Sequence, residues 1–98
     1  MRVVQHPEAA AELIEASRYY EQSVRTLGVQ FLEAVEEAVA KIAAGPERWP
    51  IMEDEIRRFL MWRFPYAIYY RIYPDHIRIL AFKHHSRHPG YWHGRAEG

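Results

Sequence analysis

At Gly45–Pro46 the periodicity of this chain changes, and that change limits the architectures open to it. Upstream, apolar residues recur at spacings of three and four; downstream, β-branched and aromatic residues run in short stretches punctuated by proline. A stretch of one kind followed by a stretch of the other predicts an α+β domain, not alternating βαβ units. From Pro7 to about Arg25, Ala10, Leu13, Ser17, Tyr20 and Val24 form one stripe, with Glu8, Glu12, Glu15 and Arg18 between them. Thr26 and Gly28 interrupt it. A second stripe follows in Phe31, Val35, Ala38, Val39 and Ile42, opposite Glu33, Glu36, Glu37 and Lys41, and Gly45–Pro46 stops it. The expectation is a helical hairpin with an acidic outer face, preceded by a short strand at Arg2–Gln5 that Pro7 closes.

After a link over Gly45–Asp54, three strands are expected at Arg57–Phe64, Tyr66–Tyr73 and Ile77–His84. The breaks at Phe64–Pro65 and Pro74–Asp75 allow only tight hairpins, so the three form an antiparallel meander. The fold class is therefore α+β, with an N-terminal strand, a helical hairpin and a three-stranded antiparallel meander, the helices packed on one face of the sheet. Ninety-eight residues suit one domain with one core. HSRHPGYWHGRAEG, about residues 85–98, has no period and is expected to be an irregular tail or cap.

Parity along the strands assigns the two faces of the sheet. Phe59, Met61, Ile68, Tyr70, Ile72, Ile77, Ile79 and Ala81 collect on one, which is apolar and belongs under the helices. Arg58, Leu60, Trp62, Tyr69, Arg71, Tyr73, Arg78, Leu80, Phe82 and His84 collect on the other. No third helix is present to cover that mixture of aromatics and cations. Uncovered aromatics at about 150–250 Å² each exceed the apolar patch usual for a monomer, so this face is expected to bind a partner. Arg71 and Arg78 are expected to stand opposite each other, an arrangement that invites an anion or acidic group.

Charge divides the same way. Residues 1–55 hold eleven acids and five bases, residues 56–98 two acids and eight bases, and five of the six histidines lie in the second part. Such polarity implies one surface for a polyanion or acidic partner and another that repels it. The absence of cysteine excludes disulfides and thiolate chemistry. His84 and His88 are four apart, but Pro89–Gly90 break any helix there, and no metal or other cofactor is expected. No apolar run approaches the roughly 18 residues of a membrane span, and nothing at the N-terminus reads as a targeting segment. The expected compartment is a reducing bacterial-type cytoplasm.

The order of elements, with RRFLMWRFPYAIYYRIY, IRILAFKHHSRHPGYW, EASRYYE and ERWP, resembles the RelE/ParE superfamily of toxins from bacterial type II toxin–antitoxin modules, over nearly the whole chain. The resemblance implies a growth-inhibiting toxin, neutralised by a cognate antitoxin and found in a larger complex with it. The face bearing Trp62, Tyr69, Arg71, Arg78, Leu80 and Phe82 is where the antitoxin or the target is expected to bind. Two activities follow from two branches. RelE-like members cleave messenger RNA on the ribosome with basic residues of the sheet and an Arg and a Tyr near the C-terminus. Carried over, Arg58, Arg87 and Tyr91 take those roles, with His84 or else His85 as a general acid or base. Leu60 stands where a lysine would help, and Ala67, after Tyr66, replaces an arginine. Fixed cations are what a transferring phosphoryl group needs. ParE-like members inhibit DNA gyrase without that array, and the missing cations favour this branch. A partner-binding scaffold without toxicity is the third reading.

Overall fold

The computed structural model describes residues 1–96. Strand β1 (Arg2–Gln5) leads into helices α1 (Pro7–Ser23) and α2 (Leu27–Ala44), and strands β2 (Ile51–Glu53), β3 (Ile56–Leu60), β4 (Tyr66–Ile72) and β5 (His76–His84) follow. The sheet order is β1-β5-β4-β3-β2, with β1 parallel to β5 and the remaining pairs antiparallel. The expected strand, helical hairpin and meander are all present, and the helices pack on one face of the sheet. β2 is an addition: three residues behind Pro50 are too few to show a period.

Local chemistry sets the hairpin. Pro7 occupies the first turn of α1, and His6 Nδ1 accepts the Glu8 N–H at 3.1 Å. Α1 ends at Ser23, short of Arg25, because Val24 is already extended. Its buried positions are Ala9 and Ala16, with Leu13 and Tyr20 packed beside them. The inward stripe is thus rotated from the expected one, and Val24 is exposed. Thr26 turns the chain at φ 70°. Glu21 bridges that turn, its two carboxylate oxygens accepting the N–H groups of Thr26 and Gly28 at 2.9 and 3.0 Å. Gly28 also sets how closely the helices approach, since a Cβ there would lie 2.5 Å from the carbonyl oxygen of Ser17. Alanine should gain a little in helix propensity but lose about 1–3 kcal/mol to that overlap. A lowered urea midpoint is the expected result for Gly28→Ala. A midpoint equal to or above that of the wild type would show that the helices part without cost.

The core lies between helices and sheet, where Tyr20, Phe31, Phe64 and Tyr66 meet at centroid distances of 5.0–6.3 Å. Phe64 explains the first departure from expectation. The run Arg57–Phe64 is not all strand: β3 stops at Leu60, and residues 61–65 bend so that Phe64 turns into the aromatic cluster. Met61 then donates its N–H to Tyr66 O at 3.0 Å, and Tyr66 donates to Phe64 O at 2.8 Å. The β4–β5 turn at Pro74–Asp75 is as tight as expected, closed by Tyr73 N–H to His76 O at 2.8 Å.

The second departure is a bulge. Tyr69 pairs with Ala81 but Tyr70 pairs with Ile79, so Leu80 is an extra residue. Beyond it the parity of β5 inverts. Phe82, expected on the open face, joins the core under the helices at 2% exposure, and Ala81, expected in that core, joins the opposite side.

Candidate functional site

The helix-free face of the sheet is covered by the C-terminal segment. Trp92, 2% exposed, closes over Ile56, Ala67, Tyr69, Leu80 and Ala81, its ring 4.9 Å from that of Tyr69. The expected open face of aromatics and cations is therefore corrected: Tyr69 and Leu80 are buried by Trp92, and Phe82 by the helices. The irregular cap expected over residues 85–98 is present to residue 96, with a short 3-10 turn at His93–Ala96; residues 97–98 lie outside the described residues. Apolar cover explains this placement, because an aromatic–aliphatic cluster left in water is replaced by one indole laid across it. Trp62 is the one member of the six-residue face that stands fully out, at 98% exposure. Arg71 and Arg78 are directly paired across β4 and β5, as expected.

Glu12 anchors the segment. Its Oε1 accepts the backbone N–H of Phe82 at 3.1 Å and Arg95 Nη1 at 3.0 Å, and its Oε2 accepts the Tyr91 hydroxyl at 2.6 Å. Arg95 also donates to Leu80 O at 3.1 Å and lies 3.4 Å from Glu8. The guanidinium of Arg87 stacks 3.9 Å from the Tyr91 ring centre, 4.0 Å from Glu12 Oε2. His93 meets Glu53 at 2.8 Å, tying the tail to β2. Burial, and then the bond to Glu12, hold the Tyr91 hydroxyl well above the usual tyrosine range. For Arg95 burial is the largest influence and works against the charge. The Glu12 bond and the attraction of Glu12, Tyr91 and Glu8 together outweigh it, and the guanidinium is held more firmly protonated.

Beside this latch is a crevice of about 310 Å³ between α1 and the end of β5, lined by Glu12, Glu15, Tyr19, Tyr66, Phe82, His84, Ser86 and Arg87. Ser86 donates its backbone N–H to His84 Nδ1 at 3.0 Å, which leaves the other ring nitrogen to carry the proton of the neutral imidazole. Burial, with Tyr20, Glu15 and Glu12 adding to it, pushes the Tyr66 hydroxyl up to about 12. Of the four residues assigned to chemistry, His84, Arg87 and Tyr91 therefore gather around Glu12. Arg58 does not. It lies on β3 opposite Tyr69, with β4 between it and β5, and its buried Nε has no partner among the described residues.

Ala67 is 2% exposed in the cluster with Trp92, so an arginine has no room there without displacing the cap. Glu12 is the residue that sequence reasoning missed. It reads as one of several glutamates on a solvated helix face, and only the tail and the β5 backbone distinguish it. Among the described residues no group of three or more potential metal ligands comes together, and no helix is long and apolar enough to cross a membrane.

A solved chain described as "Chromosomal ParDE TA system from P. aeruginosa" has the same fold, with a TM-score of 0.64 and 21% sequence identity, over 86% of this chain and 95% of that one. No curated protein sequence matches significantly. The family of the ParE toxin of type II toxin–antitoxin systems, parDE, matches residues 3–89. That span takes in all of β1 but its first residue, both helices, the other four strands and the start of the tail, and the chain belongs to the ParE toxin family of type II toxin–antitoxin systems.

Proposed function

We propose that the protein arrests growth by binding a macromolecular target in the cytoplasm, DNA gyrase as in the ParE-like branch, that it carries out no cleavage of its own, and that a cognate antitoxin neutralises it in a complex. The observation that supports this reading is the state of the cations. Arg95 is bonded to Glu12, and Arg87 lies 4.0 Å from the same carboxylate. Stabilising the charge that develops on a phosphorane needs cations aimed at it in a site free of competing anions. The crevice that holds His84 and Arg87 instead presents Glu12 and Glu15, which would repel a phosphodiester. Ala67 and Leu60 remove two further cations from the set.

Induced expression, followed in parallel by gyrase supercoiling assays and by mapping of messenger ends, tests it. Growth arrest with inhibited supercoiling and intact messenger is expected, and co-expression of the adjacent gene should restore growth. Messenger cut at codon-defined positions by the wild type, and lost in Arg87→Ala, would establish the RelE-like ribonuclease instead. Unimpaired growth at verified expression would leave a non-toxic scaffold.

A further inference from the structure

Trp92 covers the helix-free face of the sheet over Ile56, Tyr69 and Leu80, and a row of arginines borders that cover. Arg58 on β3 stands opposite Tyr69, Arg71 on β4 opposite Ile56, and Arg78 on β5 opposite Arg71. Residues directly opposed across an antiparallel pair share a face, so all three arginines lie on the side away from the helices. The Cβ atoms of an opposed pair such as Arg71 and Arg78 are about 4.5–5.5 Å apart, and Arg58 is the diagonal neighbour of Arg71 at about 7–8 Å. All three residues are half-buried.

Like charges rooted this closely are unfavourable unless an anion lies among them. Neither Arg58 nor Arg71 forms an ion pair with an acid among the described residues. The acids at the margins of this face are engaged elsewhere: Glu53 meets His93 at 2.8 Å, and Asp75 meets His76 at 2.7 Å and Arg2 at 3.9 Å. Asp54 and Glu55 stand exposed in the β2–β3 turn, with no ion pair to either arginine. Arg58 Nε is buried without a partner among the described residues, and so is Trp92 Nε1 over the neighbouring cluster. Both unmet groups are donors. A surface short of acceptors and supplied with fixed guanidinium forks suits an oxyanion brought from outside the chain.

The neighbouring rings bear on which oxyanion it is. Tyr73 is engaged by the Arg71 guanidinium at 5.4 Å and stacks on His76 at 4.8 Å and 3°, and Tyr69 packs with Trp92. Rings already taken up in this way offer no platform to an unstacked base, the contact on which single-stranded nucleic acid relies. The row of cations spans three strands, about 10 Å at the usual strand spacing of about 4.8 Å. A duplex carries a phosphate about every 3.4 Å along each strand, so its backbone can meet more than one of these guanidiniums at once. We infer that Arg71 and Arg78, with Arg58 beside them, bind the phosphodiester backbone of duplex DNA. The choice of DNA rests on the gyrase reading above, since that enzyme works on a duplex.

The experiment measures the fluorescence polarisation of a short labelled DNA duplex against the wild type, Arg71→Gln, Arg71→Lys, Arg58→Gln and Arg25→Gln over a series of salt concentrations. Arg25, exposed between α1 and α2, is the control for an equal change of charge. The wild type is expected to bind in a salt-dependent manner. Arg71→Gln should weaken binding about fivefold or more at low salt and reduce the salt slope by about one. Arg71→Lys, which keeps the charge, should retain most of the affinity, and Arg25→Gln should match the wild type. If Arg71→Gln does not fold, Arg58→Gln, which removes an unmet donor, carries the same test. An equal loss from Arg25→Gln marks diffuse attraction and overturns the inference. Tighter binding of single-stranded DNA, of an RNA duplex or of an acidic peptide at the same salt overturns it as well. A supercoiling assay run beside the titration separates the inference from the reading beneath it. Inhibition of gyrase by a wild type that does not bind the duplex overturns the inference while the gyrase reading stands. Duplex binding that is lost in Arg71→Gln, by a wild type that leaves supercoiling untouched, upholds the inference and overturns gyrase as the target.

Discussion

Trp92→Ala is expected to lower the unfolding free energy by about 3–5 kcal/mol, the range for truncating a large buried aromatic. Trp92 is 2% exposed and is the cover of the second apolar cluster, in contact with Tyr69 at 4.9 Å. For a domain of this length each kcal/mol moves Tm by about 4–8 °C, so a fall of more than about 10 °C should be seen. Trp92→Phe is the informative control. It keeps most of the apolar area and removes an indole N–H that has no partner among the described residues. A buried donor left unmet costs about 1–3 kcal/mol, which offsets the lost area, so the phenylalanine variant should stay within about 1 kcal/mol of the wild type. An alanine variant as stable as the wild type would mean that the tail does not rest on the sheet in solution.

Glu12→Ala is the second large effect. It removes the acceptor for Tyr91, Arg95 and the Phe82 N–H together. Arg95 has a side chain only 11% exposed, and a buried charge that loses its partner costs about 3–5 kcal/mol. Solvent reaching the Tyr91 end reduces this, and a loss of about 3 kcal/mol is expected in a denaturant melt. Glu15→Ala, one turn away on an exposed position, should change stability by no more than about 0.5 kcal/mol. The two variants separate a latch from a solvated helix face. Equal stability of both would remove Glu12 from its place as the anchor. A double-mutant cycle with Tyr91→Phe should also return a coupling of about 1 kcal/mol or more, since the two side chains share one 2.6 Å bond.

Much of the framework was legible in the residues themselves. The helices follow from apolar spacing and from Pro7 and Gly45 at their ends, and the β4–β5 hairpin from Pro74–Asp75, because period and turn chemistry act over a few residues. The pairing of Arg71 with Arg78 follows from the same turn. The family resemblance, too, lay in contiguous runs such as the Phe64–Pro65–Tyr66 turn.

Three features were decided by tertiary structure. The bulge at Leu80 is hidden because Leu80, Ala81 and Phe82 are all apolar, so either parity reads as a sound strand. Only the fit of Phe82 beneath the helices selects one. The docking of Trp92 is hidden because the tail has no period, and its position depends on a cluster drawn from three different strands. Glu12 is hidden because it carries the same spacing as its neighbouring glutamates. Its partners are 70, 79 and 83 residues away in the chain. A sequence pattern records which face of an element is apolar; which polar residue becomes the buried acceptor is settled when distant backbone and side-chain donors are brought to it, since each of those donors would otherwise be left without water or partner.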